Sequence, residues 1–168
     1  MEMEQLIRKA QKGDWESFSQ VVFSAKDQAY RIAYCYLYNE NDSMDAVCDA
    51  MEKAYRKIKS LREPQFFSTW FIRIVINECK TQLKKKKNAR FHTEVQAVIG
   101  QNPEEIVDLK LALQSLSPSE RVIVQMKFFL GYTFQEIAEA IEIPEGTVKT
   151  KLYQTLKLLK SKLALQEV

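Results

Sequence analysis

The 168-residue chain is poor in the residues that carry most enzyme chemistry. It has one histidine, His92, and the loss of imidazole removes most metal-binding and acid–base constellations. Its three cysteines, Cys35, Cys48 and Cys79, are odd in number and far apart, and none belongs to a Cys-x-x-Cys pair. That argues against a disulfide scaffold or a zinc ribbon. Four glycines are too few for a phosphate-cradling loop, and neither Gly-x-x-x-x-Gly-Lys nor Gly-x-Gly-x-x-Gly occurs. No catalytic residue, metal ligand or cofactor site follows from such a composition. Long apolar runs are missing too. Met1 to Lys12 mixes charges with Leu6, Ile7 and Ala10, unlike a signal peptide. Trp70 to Ile76, the most apolar stretch, is interrupted by Arg73 and is far too short to cross a bilayer. The expectation is a soluble, cytoplasmic protein that is not an enzyme.

What is present is enough apolar side chain, 46% of residues, to build one or two real cores. The formal net charge of +3 is modest, so any affinity for nucleic acid must come from local clustering. One cluster is plain: Lys80, Lys84, Lys85, Lys86, Lys87 and Arg90, with no acidic residue between Lys80 and Arg90.

Apolar spacing is helical almost throughout. Asp14 caps a helix carrying Trp15, Phe18, Val21, Val22 and Ala25, and the pattern continues through Tyr30, Ala33, Tyr34 and Leu37. Asn39 to Ser43 reads as a loop, and Met44, Val47, Met51, Ala54, Tyr55 and Ile58 mark the next helix. After a break at Pro64, a further helix runs from about Ser68 to Lys86 with Trp70, Phe71, Ile74, Val75 and Cys79 on its inner face. The pattern weakens between Asn88 and Asn102. Asn102-Pro103-Glu104-Glu105 then restarts a helix, and Ser117-Pro118-Ser119-Glu120 repeats the device ahead of Val122, Ile123, Met126 and Phe129. The fold class is therefore all-α, with two small helical domains joined by a flexible linker: residues 1–88, a linker at 89–103, and 104–168.

The stretch from Tyr132 to Leu159 is built like a helix-turn-helix. Thr133 and Glu136 stand at capping-box spacing, Ala138 is small enough for close helix crossing, and Pro144 sits where the second helix begins. Val148, Leu152, Leu156, Leu159 and Leu163 make one apolar stripe on that helix. Opposite lie Lys149, Thr150, Tyr153, Gln154 and Lys157, a face able to touch phosphates and base edges together. In the first half, Arg73, Asn77, Lys80 and Lys84 form a mainly basic stripe that could follow a nucleic-acid backbone, or simply be the solvated side of a helix. Phe66, Phe67 and Trp70 gather beside it; aromatics there can hold unstacked bases, though Trp70 and Phe71 also suit packing. On the preceding helix, Asp45, Asp49 and Glu52 come early and Lys53, Arg56, Lys57 and Lys59 late, an order that complements the helix dipole.

Taken together, Gln11-Lys12-Gly13-Asp14, the block Asp45-Ala-Val-Cys-Asp-Ala-Met-Glu-Lys-Ala-Tyr-Arg-Lys57, the run Phe67-Ser-Thr-Trp-Phe-Ile-Arg-Ile-Val-Ile-Asn77, and Glu136-Ile-Ala followed by Gly146-Thr-Val-Lys-Thr-Lys-Leu152 resemble the bacterial extracytoplasmic-function (ECF) sigma factors of RNA polymerase, in that family's order. The resemblance implies sigma region 2 in the first domain and a helix-turn-helix, winged-helix-like region 4 in the second. It implies core RNA polymerase and promoter DNA as partners, through the clamp helices of the largest subunit and the flap of the second-largest. An anti-sigma factor is a further partner that the resemblance implies.

Carried over by position, Asp45, Cys48, Asp49 and Glu52 would face the polymerase. Lys53, Arg56, Leu61, Phe67, Ile72, Arg73 and Asn77 would lie near the melted minus-ten strand, with the loop from Ser60 to Gln65 shaping a base pocket. Lys127, Lys149, Thr150, Tyr153 and Gln154 would meet minus-thirty-five duplex, with Lys151 at their flank. Four positions depart from the family's usual residues. Cys48-Asp49 stands where Gln-Glu is usual, Ile72 where an aromatic is frequent, and Gln154 where Arg is common, which turns a guanine-reading contact into one better suited to adenine. The other function consistent with the residues is a stand-alone helix-turn-helix regulator with an N-terminal sensor or dimerisation domain.

Overall fold

Side-chain caps set where four of the helices begin in the computed structural model, which describes residues 2–89 and 111–164. Helix α1 (Glu2–Gln11) turns at Gly13, whose φ of +101° is open to glycine, into Asp14, which accepts from the Ser17 amide and starts α2 (Trp15–Leu37). Asn39 accepts from the Asp42 amide at 2.9 Å and starts α3 (Glu40–Lys57). The polar run Asn39 to Ser43, expected as a loop, is thus a cap plus a first helical turn. Glu40 and Asp42 favour it because carboxylates suit a helix N-terminus, and the Ser43 hydroxyl donates back to the Asn39 carbonyl. Two 3₁₀ turns, Ile58–Ser60 and Pro64–Phe66, lead into α4 (Phe67–Ala89).

Residues 111–114 are helical, and capping boxes at Ser117/Glu120 and Thr133/Glu136 open α5 (Pro118–Val124) and α6 (Phe134–Ile141). Helix α6 ends at Ile141, a three-residue turn opens with Glu142 at φ +59°, and α7 (Glu145–Ala164) begins after Pro144, whose carbonyl accepts from the Thr147 and Val148 amides. Among the described residues there is no strand, and the helix-turn-helix described there has no β wing. The expected linker and the helix start at Asn102-Pro103 lie outside the described residues, apart from Ala89 at the end of α4.

Between α5 and α6 the chain widens into a π turn, Gln125–Phe129, with the Leu130 amide bonded to the Gln125 carbonyl. A regular α-helix would bury Phe129 with Val122 and Met126. The extra residue rotates Phe129 outward to 72% exposure while Met126 stays buried. The apolar stripe of α7 is buried at Val148, Leu152 and Leu159, but Leu156 is only half-buried and Leu163 is exposed.

Helices α2, α3 and α4 pack on one another with α1 across α2, and α5, α6 and α7 form a second group. The groups are not held apart. Helix α6 packs on α4 and α5 on α2, and the buried side chains run as one continuous cluster from Ile7 through Phe71 and Ile76 to Ile137 and Leu152.

Candidate nucleic-acid interface

Three surfaces collect the side chains singled out above. The first is the outer face of α7. Its N-terminal turn follows a proline-closed turn, and its inner residues Val148, Leu152, Thr155 and Leu159 are buried, which leaves Lys149, Thr150, Tyr153 and Gln154 exposed. Lys149 makes an exposed pair with Glu145 at 3.3 Å, an arrangement worth little in water, so its ammonium is available to a phosphate or a base. The Thr150 hydroxyl donates to the Gly146 carbonyl at 3.0 Å and keeps its lone pairs free to accept. Lys151 is half-buried at the flank. Lys127, far away in sequence, is brought here by Phe134: the Lys127 and Lys149 ammoniums stand 4.3 and 5.5 Å from the centre of that ring. Phe134 is thus a positioning residue that its core-like spacing concealed.

The second surface is a cleft of about 500 Å³ lined by Ser60 to Glu63, Phe66, Thr69, Trp70 and Arg73, with Glu139 of α6 at its edge. Its floor is the loop between α3 and α4, which Gln11 fixes: the side-chain amide donates to the carbonyls of Ile58 at 3.1 Å and Leu61 at 2.6 Å. Arg62 and Arg73 supply positive charge, and Phe66, half-exposed, and Trp70 supply aromatic faces. Arg62 falls in the loop expected to shape a base pocket, and Phe66 and Trp70 are the aromatics expected beside it; Thr69 is a cleft residue that no sequence signal singled out.

Two expected strand-facing residues are placed otherwise, while Leu61, although largely buried, lines the cleft. Phe67 and Ile72 are buried; the Phe67 ring stacks on Phe71 at 5.7 Å and Ile72 has no exposed surface. A two-sided core needs apolar residues around most of α4, and these positions fill it. Lys53 is paired with Glu78, a carboxylate buried on α4 that demands a cation, so this ammonium has a structural duty. Asn77 is half-buried one turn beyond Arg73. Arg56 bonds Glu52 at 2.5 Å with both side chains well exposed.

The third surface is the row Asp45, Cys48, Asp49 and Glu52, all exposed on one side of α3. Beside it lies an almost wholly apolar groove of about 400 Å³ lined by Trp15, Phe18, Phe23, Met51 and Tyr55. Trp15, expected to extend the inner face of α2, is 61% exposed there, with its ring edge-on to Tyr55 at 5.1 Å. The cysteines do not meet. Burial pushes the Cys79 thiol up to about 12, and burial also raises Cys35 against the pull of Arg121, so both are held as unreactive thiols. No helix among the described residues is long and apolar enough to cross a membrane.

Replacing Gln11 by leucine is expected to cost about 1–3 kcal/mol, two net hydrogen bonds, measured as a lowered urea midpoint with an unchanged slope.

Residues 22–89 match the family model for sigma-70 region 2, and residues 106–159 that for sigma-70 region 4. RNA polymerase sigma factor SigV of Bacillus subtilis is 30% identical over 147 residues, covering 85% of this chain and 89% of that protein. The ECF RNA polymerase sigma factor SigW of the same organism is 29% identical over 97% of each. In fold, the chain is similar to the sigma factor RpoE of Bartonella quintana crystallised with the anti-sigma factor NepR (TM-score 0.75, 20% identity, 89% of this chain and 98% of that one). It is also similar to CnrH in complex with the cytosolic domain of CnrY (TM-score 0.74, 19% identity, 97% of each). With both sigma regions matched in order and a relative at this identity over most of its length, the chain belongs to the ECF RNA polymerase sigma factors.

Proposed function

We infer that this chain joins core RNA polymerase and directs initiation at promoters whose minus-thirty-five element is read by α7 and whose melted minus-ten strand is held in the cleft beside α4. It performs no catalysis of its own. The observation that carries the reading is the ordered pair of sigma regions; the side chains we propose to meet duplex and strand fall on separate helices.

The chemistry of each surface fits its task. An unstacked base costs a few kcal/mol to expose, and aromatic faces flanked by Arg62 and Arg73 can offset that by stacking and phosphate contact. The acidic row on α3, with the apolar groove next to it, offers the clamp helices of the largest subunit both charge and buried area. The flap of the second-largest subunit is the proposed partner of the C-terminal half. The sigma factor RpoE of similar fold was crystallised with the anti-sigma factor NepR, and an anti-sigma factor is proposed here also.

Run-off transcription with purified core polymerase tests the reading. Initiation at defined promoters, dependent on this chain, is the expected result. Duplex binding by a dimer that never associates with polymerase would replace it with a stand-alone regulator.

A further inference from the structure

The strand cleft does not end at the loop that forms its floor. Arg62 and Glu63 line that cleft and also a second recess of about 170 Å³ between the loop and α1, which Glu4, Arg8, Pro64 and Gln65 complete. The same two side chains border both spaces, so a strand that leaves the cleft over Arg62 passes into the recess.

The recess stands on a fixed frame. Ile7 and Ala10 bury the inner side of α1, and Glu4 and Arg8, one turn apart, are left exposed. Helix α1 packs on both 3₁₀ turns of the loop, and Gln11 at its end bonds the carbonyls of Ile58 and Leu61. Pro64 is buried and opens the second of those turns. The protein itself therefore holds α1 and the loop against each other.

Glu4 and Arg8 have the spacing that favours an ion pair along a helix. Yet the ion pairs among the described residues include none of Glu4, Arg8, Arg62 or Glu63. Glu63 is engaged by the Gln65 amide, which donates to it at 2.7 Å. Glu4, Arg8 and Arg62 keep their hydrogen-bonding capacity for something that enters the recess. Two arginines against two glutamates carry no net charge, which makes the recess a poor seat for a phosphate. A base edge is different, because it presents donors and acceptors side by side. Guanine alone offers two adjacent donors, N1–H and N2–H, that one carboxylate accepts together, beside an O6 acceptor that a guanidinium fills. Cytosine and adenine present a single amino group, and thymine a single N3–H between two carbonyls that repel a carboxylate.

We propose that the recess between α1 and the loop is a second base site for the melted strand, with Glu4 and Arg8 reading the edge of a guanine and Arg62 on the ridge meeting the phosphate between the two nucleotides. The proposal rests on the strand-cleft reading given above and extends it along the strand. Its direction follows from the fold. Arg73, Asn77, Lys80 and Lys84 lead away from the cleft along α4 and suit DNA that is still paired on the upstream side, whereas α1 lies across the loop. The guanine therefore falls just downstream of the minus-ten element.

The test uses polymerase reconstituted from core enzyme and the full chain. It is offered fork fragments of a promoter that depends on this chain, duplex upstream and single-stranded from the minus-ten element onward. Beyond that element the tail is thymine, with one guanine moved through successive positions, and competition anisotropy reports the affinity. One position is expected at which guanine tightens binding about tenfold over thymine. Glu4→Gln, which keeps the shape and loses an acceptor, is expected to abolish that preference without changing affinity for the all-thymine tail. Arg8→Ala is expected to reduce the preference severalfold. Lys9→Ala removes a charge from the adjacent exposed position, which does not line the recess, and is expected to leave the preference whole. The charge of Glu4 also suits the first turn of α1, a role that would appear in the melting temperature and not in the choice of base.

A tail without a preferred position overturns the site. A guanine preference that survives both Glu4→Gln and Arg8→Ala belongs to the polymerase core and overturns it too, as does an equal loss in Lys9→Ala, which would mark a general effect of charge. Arg73→Ala keeps these failures apart from failure of the cleft reading. If it weakens every tail alike while guanine is preferred nowhere, the cleft stands and the recess falls. If it weakens none while Glu4→Gln still abolishes the preference, the recess stands and the cleft reading falls.

Discussion

Replacing Lys149 and Gln154 together by alanine is expected to weaken recognition of the cognate duplex by about 2–6 kcal/mol, the sum of two contacts at 1–3 kcal/mol each. Both side chains are exposed on α7, and neither has a partner that holds it away from DNA. Lys149 gives up only a solvent-exposed pair with Glu145, and the Gln154 amide makes no intramolecular bond among the described contacts. The two single variants should fail differently. Losing the Lys149 charge should reduce the slope of log affinity against log salt by about one if the ammonium meets a phosphate. Losing the Gln154 amide should leave that slope alone and flatten the preference at one base pair, most visibly where adenine is favoured. Neither change should move the melting temperature, because the stability of α7 resides in Val148, Leu152 and Leu159 on its other side. Footprints and salt slopes that match wild type in both variants would show that α7 is not the reading helix.

The parts of the fold that were legible before any coordinates are those fixed within one or two turns of chain. Asp14, Ser117 and Thr133 announce helix starts because a cap and its target amides are three residues apart. The sorting of α7 into Val148 and Leu152 against Lys149 and Gln154 follows from helical period alone. Asn39 misled for a local reason: a polar run reads as a loop, although Asn followed by Glu40 and Asp42 is also a good helix start.

What could not be read depends on contacts between distant residues or on a broken period. The π turn inserts a residue that no spacing rule signals, and so Phe129 faces solvent. Ile72 and Phe67 look like strand contacts only if α4 has a free side, but α4 is packed by both halves of the chain. The duty of Lys53 is set by Glu78 on another helix, and the duty of Arg121 by carbonyls more than eighty residues away. Charged residues of this kind look like surface in a sequence. Only the fold shows that one balances a buried carboxylate and the other closes a helix end.

The packing of α4 on two sides also sets the expected result of Phe71→Ala, a loss of about 3–5 kcal/mol in unfolding free energy, the range for a fully buried aromatic. Phe71 has no exposed surface and its ring stacks on Phe67 at 5.7 Å with the planes 12° apart, so truncation removes apolar burial and a ring contact together. Phe129→Ala provides the contrast. At 72% exposure it should change stability by less than about 0.5 kcal/mol, although both residues are phenylalanines in apolar-looking runs. Chemical unfolding of the two variants measures the difference directly. The effect of Phe71→Ala should extend to the strand cleft, because Phe67 also leans on Trp70, at 5.8 Å between ring centres, and Trp70 lines that cleft. Where the truncated protein remains folded, strand opening by its polymerase complex should fall while duplex binding through α7 persists. Equal losses for Phe71→Ala and Phe129→Ala would mean that the hydrophobic centre of the N-terminal half does not lie along α4.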